Sequence, residues 1–122
     1  MTDSILMVED DLQTYQLVAN VLQKSGYQLL HAQNAQVAFQ YIVEELPQLI
    51  LLDLRLPGVD GWEFARQLKG HPHYRHIPII AVTVQVDPDD EARALAAGVD
   101  RYMPKPFNVK LLRSIVQQYV AN

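Results

Sequence analysis

A doubly wound α/β sheet, five parallel strands with helices on both faces, is the fold class that this chain of 122 residues predicts. Two observations lead there. Five short apolar runs are each followed by a stretch with apolar residues at helical spacing, and the connections between them are a few residues long. Within the runs the apolar residues are consecutive rather than alternating, as in strands buried on both faces. Strict alternation of strand and helix calls for right-handed crossovers. For five strands, the order 2-1-3-4-5 sets the first and third side by side at the switch point, where open sheets bind ligands.

The elements follow in order. Ser4 to Val8 is a first strand, cut off by Glu9-Asp10-Asp11. From Asp11 to Lys24 the residues Leu17, Val18, Val21 and Leu22 recur at helical spacing, and Gly26 ends the helix. Tyr27 to His31 is a short second strand. Asn34 caps a helix with Val37, Ala38, Tyr41 and Ile42 on one side, ended by Pro47. The run Leu49-Ile50-Leu51-Leu52 stops at Asp53, with Pro57 and Gly58 beyond, and is the central strand. Asp60 caps a helix to about Lys69, with Phe64, Ala65 and Leu68 inward. Ile77 to Thr83 is a fourth strand, its Pro78 near the start where a missing N–H is tolerated. Asp87 to Ala97 is a small helix closed by Gly98, and Asp100 to Met103 a short fifth strand. Lys105-Pro106-Phe107 then leads into a last helix carrying Val109, Leu112, Ile115, Val116 and Tyr119.

Composition narrows the function classes. The length suits one domain over 1–122 with a continuous core. An apolar content of 49% with 20% charged residues is ordinary for a globular chain in water. A net charge of −4 advertises no nucleic-acid face. The chain has no cysteine, which excludes a disulfide scaffold and a thiol nucleophile. No apolar run reaches the ~18 residues of a membrane span, and residues 1–20 lack a signal-peptide pattern, so a cytoplasmic location is expected.

On this topology Glu9 and Asp10 after the first strand, Asp53 after the third, Thr83 ending the fourth and Lys105 after the fifth converge on one rim. Taken alone, Glu9-Asp10-Asp11 would be an acidic first turn complementing a helix dipole. Gathered with Asp53, the acids repel: two unit charges about 4 Å apart cost roughly 4 kcal/mol at an effective dielectric of 20. A divalent cation removes that cost. An all-oxygen site with positions open to water and phosphate suits Mg²⁺ better than Zn²⁺.

Val8-Glu9-Asp10-Asp11, Leu51 to Gly61 (LLDLRLPGVDG), Ile80-Ala81-Val82-Thr83 and Lys105-Pro106-Phe107 together resemble the receiver domain of two-component response regulators, over the whole chain. The strand order 2-1-3-4-5, flavodoxin-like, is itself that of the family. The resemblance implies that Asp53 accepts a phosphoryl group from a histidine kinase or histidine phosphotransfer protein. It implies that Asp10, Asp53 and the backbone carbonyl of Arg55 hold Mg²⁺, with Glu9 acting through water. Lys105 would pair with a phosphoryl oxygen, Thr83 would donate its hydroxyl to another, and the Lys105–Pro106 bond would be cis. Thr83 and Tyr102 resemble the family's switch pair, which alters the face of the last two helices and the fifth strand for a downstream protein. By the same resemblance such a chain is expected to phosphorylate itself and to have autophosphatase activity, without turning over a small substrate.

Two residues depart from the family pattern. Val84, bulky and β-branched, stands where a small residue is usual, and Arg55 is long and cationic. Both are expected to restrict attacking water and lengthen the life of the aspartyl phosphate. His71, His73 and His76 lack the spacing of a zinc site, and Trp62 reads as a packing residue. A flavin carrier would need a hydroxyl- and glycine-rich loop where Glu9-Asp10-Asp11 stands. A haloacid dehalogenase-type phosphatase would need a second Asp where Arg55 stands. A stand-alone receiver, monomeric or weakly dimeric, is expected from Met1 and Asn122 bounding the fold. The alternatives are a receiver cut from a multidomain regulator or hybrid kinase, and a non-phosphorylated scaffold of the same fold.

Overall fold

The computed structural model describes residues 4–56, 58 and 60–120. Pro57 and Val59 of the turn after the central strand, and the chain ends on which the stand-alone expectation rests, lie outside them. The elements run β1 (Ser4–Val8), α1 (Leu12–Lys24), β2 (Gln28–Ala32), α2 (Ala35–Glu44), β3 (Leu49–Leu52), α3 (Gly61–Gly70), β4 (Ile79–Val84), α4 (Asp90–Ala96), β5 (Arg101–Lys105) and α5 (Val109–Tyr119). The strands form one sheet in the order β2-β1-β3-β4-β5, every neighbouring pair parallel. No described helix is long and apolar enough to cross a membrane.

Consecutive strand residues point to opposite faces, so each apolar run feeds two cores. Ile5, Met7, Leu49, Leu51, Ile80 and Val82 pack with Val18, Leu22, Leu112, Ile115 and Val116 of α1 and α5. Leu6, Val8, Ile50, Leu52, Ile79 and Ala81 pack with α2, α3 and α4 around Ile42, Phe64, Leu68 and Ala94. This is why the runs do not alternate. Asn34 and Asp60 cap their helices as the sequence indicates, accepting from Val37 N–H and Glu63 N–H. Asp11, expected inside the first helix, instead caps it by accepting from Gln13 N–H and the Thr14 hydroxyl.

Several boundaries move. β4 starts at Ile79 rather than Ile77 and includes Val84, because Ile77 is held in the turn before it by a bond to the Tyr74 carbonyl. β5 covers Arg101–Lys105 rather than Asp100–Met103. It is the outer strand, where Pro104 costs no ladder bond, and Lys105 is therefore a strand residue, in register with Val84. β2 is displaced by one residue. α4 is shorter than the expected 87–97 because Asp87 and Asp89 form a turn instead, with Asp89 N–H bonded to Asp87 Oδ1. α2 ends at Glu44, before Pro47. In α1 the buried residues are Val18, Ala19 and Leu22, whereas Leu17 is exposed.

Gly61 has a packing reason. A Cβ there would lie 2.4 Å from Leu54 Cα and 2.8 Å from the Asp53 carbonyl oxygen. The absence of a side chain lets α3 begin against the backbone that follows β3, which fixes the height of Asp53.

Candidate functional site

Parallel pairing lifts the strand ends to one rim. Asp53 N–H bonds to the Val8 carbonyl at 2.9 Å, and Glu9 N–H to the Ala32 carbonyl at 2.9 Å, so both acids continue the ladder past their strands. His31 Nε2 lies 2.7 Å from the Glu9 carbonyl oxygen. Since that oxygen only accepts, Nε2 carries the proton, and the imidazole, stacked on Tyr15 at 3.9 Å, pins the Glu9 backbone.

The side chains then meet. Thr83 Oγ1 donates to Asp53 Oδ1 at 2.8 Å, and the Arg55 N–H donates to the same oxygen at 3.0 Å. Lys105 Nζ donates to Glu9 Oε1 at 2.7 Å and to Asp53 Oδ2 at 3.3 Å. Glu9 Oε2 accepts the Asp11 N–H at 3.2 Å. Glu9, Asp53 and Thr83 are buried, at 1%, 7% and 1% exposure, while Asp10 is exposed. The Lys105–Pro106 bond is cis.

The electrostatics separate the two buried acids. Burial pushes the Glu9 carboxyl up to about 7, with Asp53 adding to the rise and Lys105 opposing it. Burial also acts to raise Asp53, but the Arg55 N–H, Glu9, Thr83 and the Lys105 charge outweigh it and hold Asp53 below the usual carboxylate range. Lys105 is raised: desolvation opposes its charge, and Glu9 and Asp53 more than compensate. Asp53 is thus the ionised member of the pair near neutral pH, and Glu9 the one that shares its proton.

Oxygen atoms of Glu9, Asp10 and Asp53 all lie within 4.8 Å of one another. Among the described residues this is the one group of three that could hold a metal ion. The donors are all carboxylate oxygens, two of them from buried acids, which fits a hard divalent cation such as Mg²⁺. The histidine cluster offers no comparable site. His71 Nδ1 accepts the His73 N–H, and its ring stacks on Tyr74 at 4.4 Å.

Tyr102 is half-buried on the face that α2, α3 and α4 cover. It stands in register with Ala81, two residues before Thr83 and so on the same face of the sheet. Its hydroxyl is buried with no hydrogen-bond partner. Trp62 is a packing residue, as expected, but its ring also lies under the guanidinium groups of Arg55 and Arg93, at 5.1 and 4.0 Å. The Arg55 guanidinium does not reach the site's acids. It pairs with Asp90, and its Nε donates to the Val84 carbonyl at 3.1 Å. Asp90, with 3% exposure, is the residue that reading the sequence missed. In Asp87 to Glu91 it is one acid among several at a helix start, and nothing local marks it as the buried one.

A parallel sheet presenting an ionised aspartate, a crowded acidic cluster, a hydroxyl and an ammonium on one rim defines a class, and comparison with known proteins gives the same answer. Residues 5–117 match the response regulator receiver domain, and the chain belongs to that family, the phosphoacceptor modules of two-component signalling. Over 122 residues it is 34% identical to the polar-differentiation response regulator DivK of Brucella ovis, covering 100% of this chain and 99% of DivK. It is 40% identical over 109 residues to the phosphate regulon transcriptional regulatory protein PhoB of Pseudomonas aeruginosa, covering 89% of this chain and 48% of PhoB. The chain therefore spans about half the length of PhoB. Among solved structures it is similar to the Mn²⁺-bound form of response regulator Rcp1, with a TM-score of 0.82 and 31% identity over 95% of this chain and 90% of that one.

Proposed function

We propose that Asp53 is the phosphoacceptor and that its donor is a phosphohistidine on a histidine kinase or histidine phosphotransfer protein. One observation carries the reading: of two buried acids facing one lysine, Asp53 is the one bonded to Thr83, the Arg55 N–H and Lys105 together and held below the usual carboxylate range. An Asp53 oxygen bonds to phosphorus as the P–N bond breaks, and the histidine nitrogen keeps the electron pair and leaves as imidazole. Phosphoryl transfer of this kind asks for alignment and charge stabilisation more than for a strong nucleophile. Lys105, already within reach of Asp53, pairs with a phosphoryl oxygen. Asp10, Asp53 and the Arg55 carbonyl, with Glu9 through water, would hold Mg²⁺, which supplies positive charge to the remaining phosphoryl oxygens. That the similar protein Rcp1 has a manganese-bound form supports a divalent ion here.

Beside the site, Thr14, Leu17, Val84, Lys105, Pro106 and Phe107 line a hollow of about 450 Å³. Leu17 and Val84 in its lining are roughly half exposed. An apolar rim next to the acceptor suits docking of a donor helix, which brings the phosphohistidine to Asp53.

The output is a population shift. Thr83 turns its hydroxyl from Asp53 to the phosphoryl group, and the Tyr102 ring moves toward the space it leaves, altering the surface of α4, β5 and α5 for a downstream protein. The unpartnered Tyr102 hydroxyl supports this, since a buried unsatisfied group costs about 1–3 kcal/mol. Such strain narrows the gap to the alternative rotamer. Inverting a 1:99 mixture takes about 5.5 kcal/mol of differential interaction.

The test is incubation with acetyl phosphate and Mg²⁺, followed by intact mass and peptide mapping. One phosphoryl group on Asp53, absent from Asp53→Asn, is the expected result. Uptake at another residue, or none, would overturn the assignment.

A further inference from the structure

We propose that Arg55 changes partners when Asp53 is phosphorylated, leaving Asp90 for the phosphoryl group and thereby releasing the segment that joins Thr83 to α4. The inference rests on Asp53 being the acceptor.

Arg55 is tied at both ends. Its backbone N–H donates to Asp53 Oδ1 at 3.0 Å. Its guanidinium donates to the Val84 carbonyl and to Asp90 Oδ2. That same Asp90 oxygen accepts the N–H groups of Val86 at 2.9 Å and Asp87 at 3.1 Å. A single carboxylate oxygen therefore gathers the cation and the two amides of the segment that follows Thr83. The backbone hydrogen bonds from Val86 and Asp87, with the Arg55 pairing, keep Asp90 below the usual carboxylate range. Arg55 thus clamps both ends of the segment next to the residue that must move, Val84 at one end and Asp90 at the other.

Phosphorylation sets up a competition that the guanidinium decides. A phosphoryl group on Asp53 would offer three strongly accepting oxygens beside the residue whose own N–H already touches that carboxylate. Asp90 offers Arg55 one oxygen that is shared with two amides. A planar guanidinium pairs with a phosphoryl group through two parallel bonds, a geometry the present pairing does not provide. Once Arg55 turns inward, Asp90 loses its counter-ion at the start of a helix of only 7 residues. The Val84 carbonyl loses its donor at the same time. Trp62 registers the change, because Arg55 is one of two cations over its ring.

The experiment uses the full chain in two arms. In the first, wild-type protein is treated with acetyl phosphate and Mg²⁺, and occupancy of Asp53 is read by intact mass. Amide exchange at Val86 and Asp87 is read in the same samples, together with the emission of Trp62, the chain's single tryptophan. The expected result is about tenfold faster exchange at both amides in the phosphorylated protein, the size of effect that losing one charge-assisted bond produces, with a change in Trp62 emission. In the second arm, Arg55→Gln and Asp90→Asn are examined without phosphate, and both are expected to show the faster exchange already. A fully phosphorylated wild type with unchanged exchange at Val86 and Asp87 would sink the partner exchange while leaving the acceptor assignment standing. Unchanged exchange in both variants would show that the clamp holds nothing. No phosphate on Asp53 would remove both readings together.

Discussion

The two rims of the sheet each carry a lysine bonded across the fold to an aspartate, yet they are built differently. At the rim where the strands begin, Lys69 Nζ donates to the Ile77 carbonyl and to Asp100 Oδ2, both at 2.9 Å, and to the Arg75 carbonyl at 3.4 Å. Asp100 accepts the Ile79 N–H with the same oxygen. One cation meets one anion, and neutral groups satisfy the rest. The stem of Lys69 lies so close to Gly98 that a Cβ there would be 2.6 Å from its Cγ, so the residue ends α4 and makes room for the clamp at once. At the rim where the strands end, one ammonium faces Glu9 and Asp53, with Asp10 beside them. A lysine–aspartate pair is thus no mark of function by itself. The mark is an excess of buried acid over base that the protein alone does not neutralise.

Exchanging the two lysines for a neutral residue breaks the comparison most directly. Lys105→Met is expected to slow phosphate uptake from acetyl phosphate by about 10²- to 10³-fold, the usual cost of removing a charge-stabilising donor. Lys69→Met should leave uptake unchanged and lower stability by about 1–2 kcal/mol in denaturant titration, modest because Asp100 remains partly in water. Equal losses of uptake in the two variants would erase the functional distinction between the rims.

A pH series without metal sharpens it. Glu9 binds its proton more tightly folded than unfolded, its pKa rising from 4.5 to about 7. Between those values the folded chain holds more protons, so stability falls as pH rises through the window, by up to roughly 3 kcal/mol. Asp53 works in the opposite sense. Its depressed pKa adds stability above the ordinary carboxylate value, which is lost as pH falls below it. Denaturant titrations in chelator should therefore show maximal stability near the lower end of the Glu9 window, and Glu9→Gln should abolish the decline toward neutrality. Added Mg²⁺ should stabilise the wild type more as pH rises. A flat wild-type profile in chelator would mean that burial does not raise the Glu9 carboxyl.

Tyr102→Phe removes a hydroxyl that is buried without a partner. It is expected to raise stability by up to about 1 kcal/mol in thermal or denaturant unfolding, and a loss of stability would show the hydroxyl to be bonded. The smallest effect concerns Val84, half exposed over the hollow beside Lys105. Val84→Ala should release phosphate a few-fold faster than the wild type, and equal rates would end the idea that the valine screens the site from water.

Much of this was legible in the sequence because it depends on local chemistry. Leu49 to Leu52, an unbroken apolar run followed by turn residues, reads as a strand covered on both faces, and Asn34 and Asp60 cap helices by bonds to residues three positions away. Glu9, Asp10, Asp53, Thr83 and Lys105 were legible as a site once the strands were taken to be parallel, since strand ends then share a rim. The extent of β5 was not, because whether Pro104 can lie in a strand depends on whether that strand has a free edge. Arg55 was expected to restrict attacking water, but that its guanidinium pairs with Asp90, 35 residues away in sequence, was not legible. Nothing near Asp90 marks it as buried.

The sequence by itself determined the order of elements, the two-faced cores and the identity of the groups on the rim, because apolar period and capping act over a few residues. Only the tertiary structure decided how the charges share their protons and partners. Burial lifts Glu9 while a ring of donors lowers Asp53, and the Arg55 guanidinium pairs with Asp90. Desolvation and Coulomb energy depend on distances through space, which spacing along a chain does not encode.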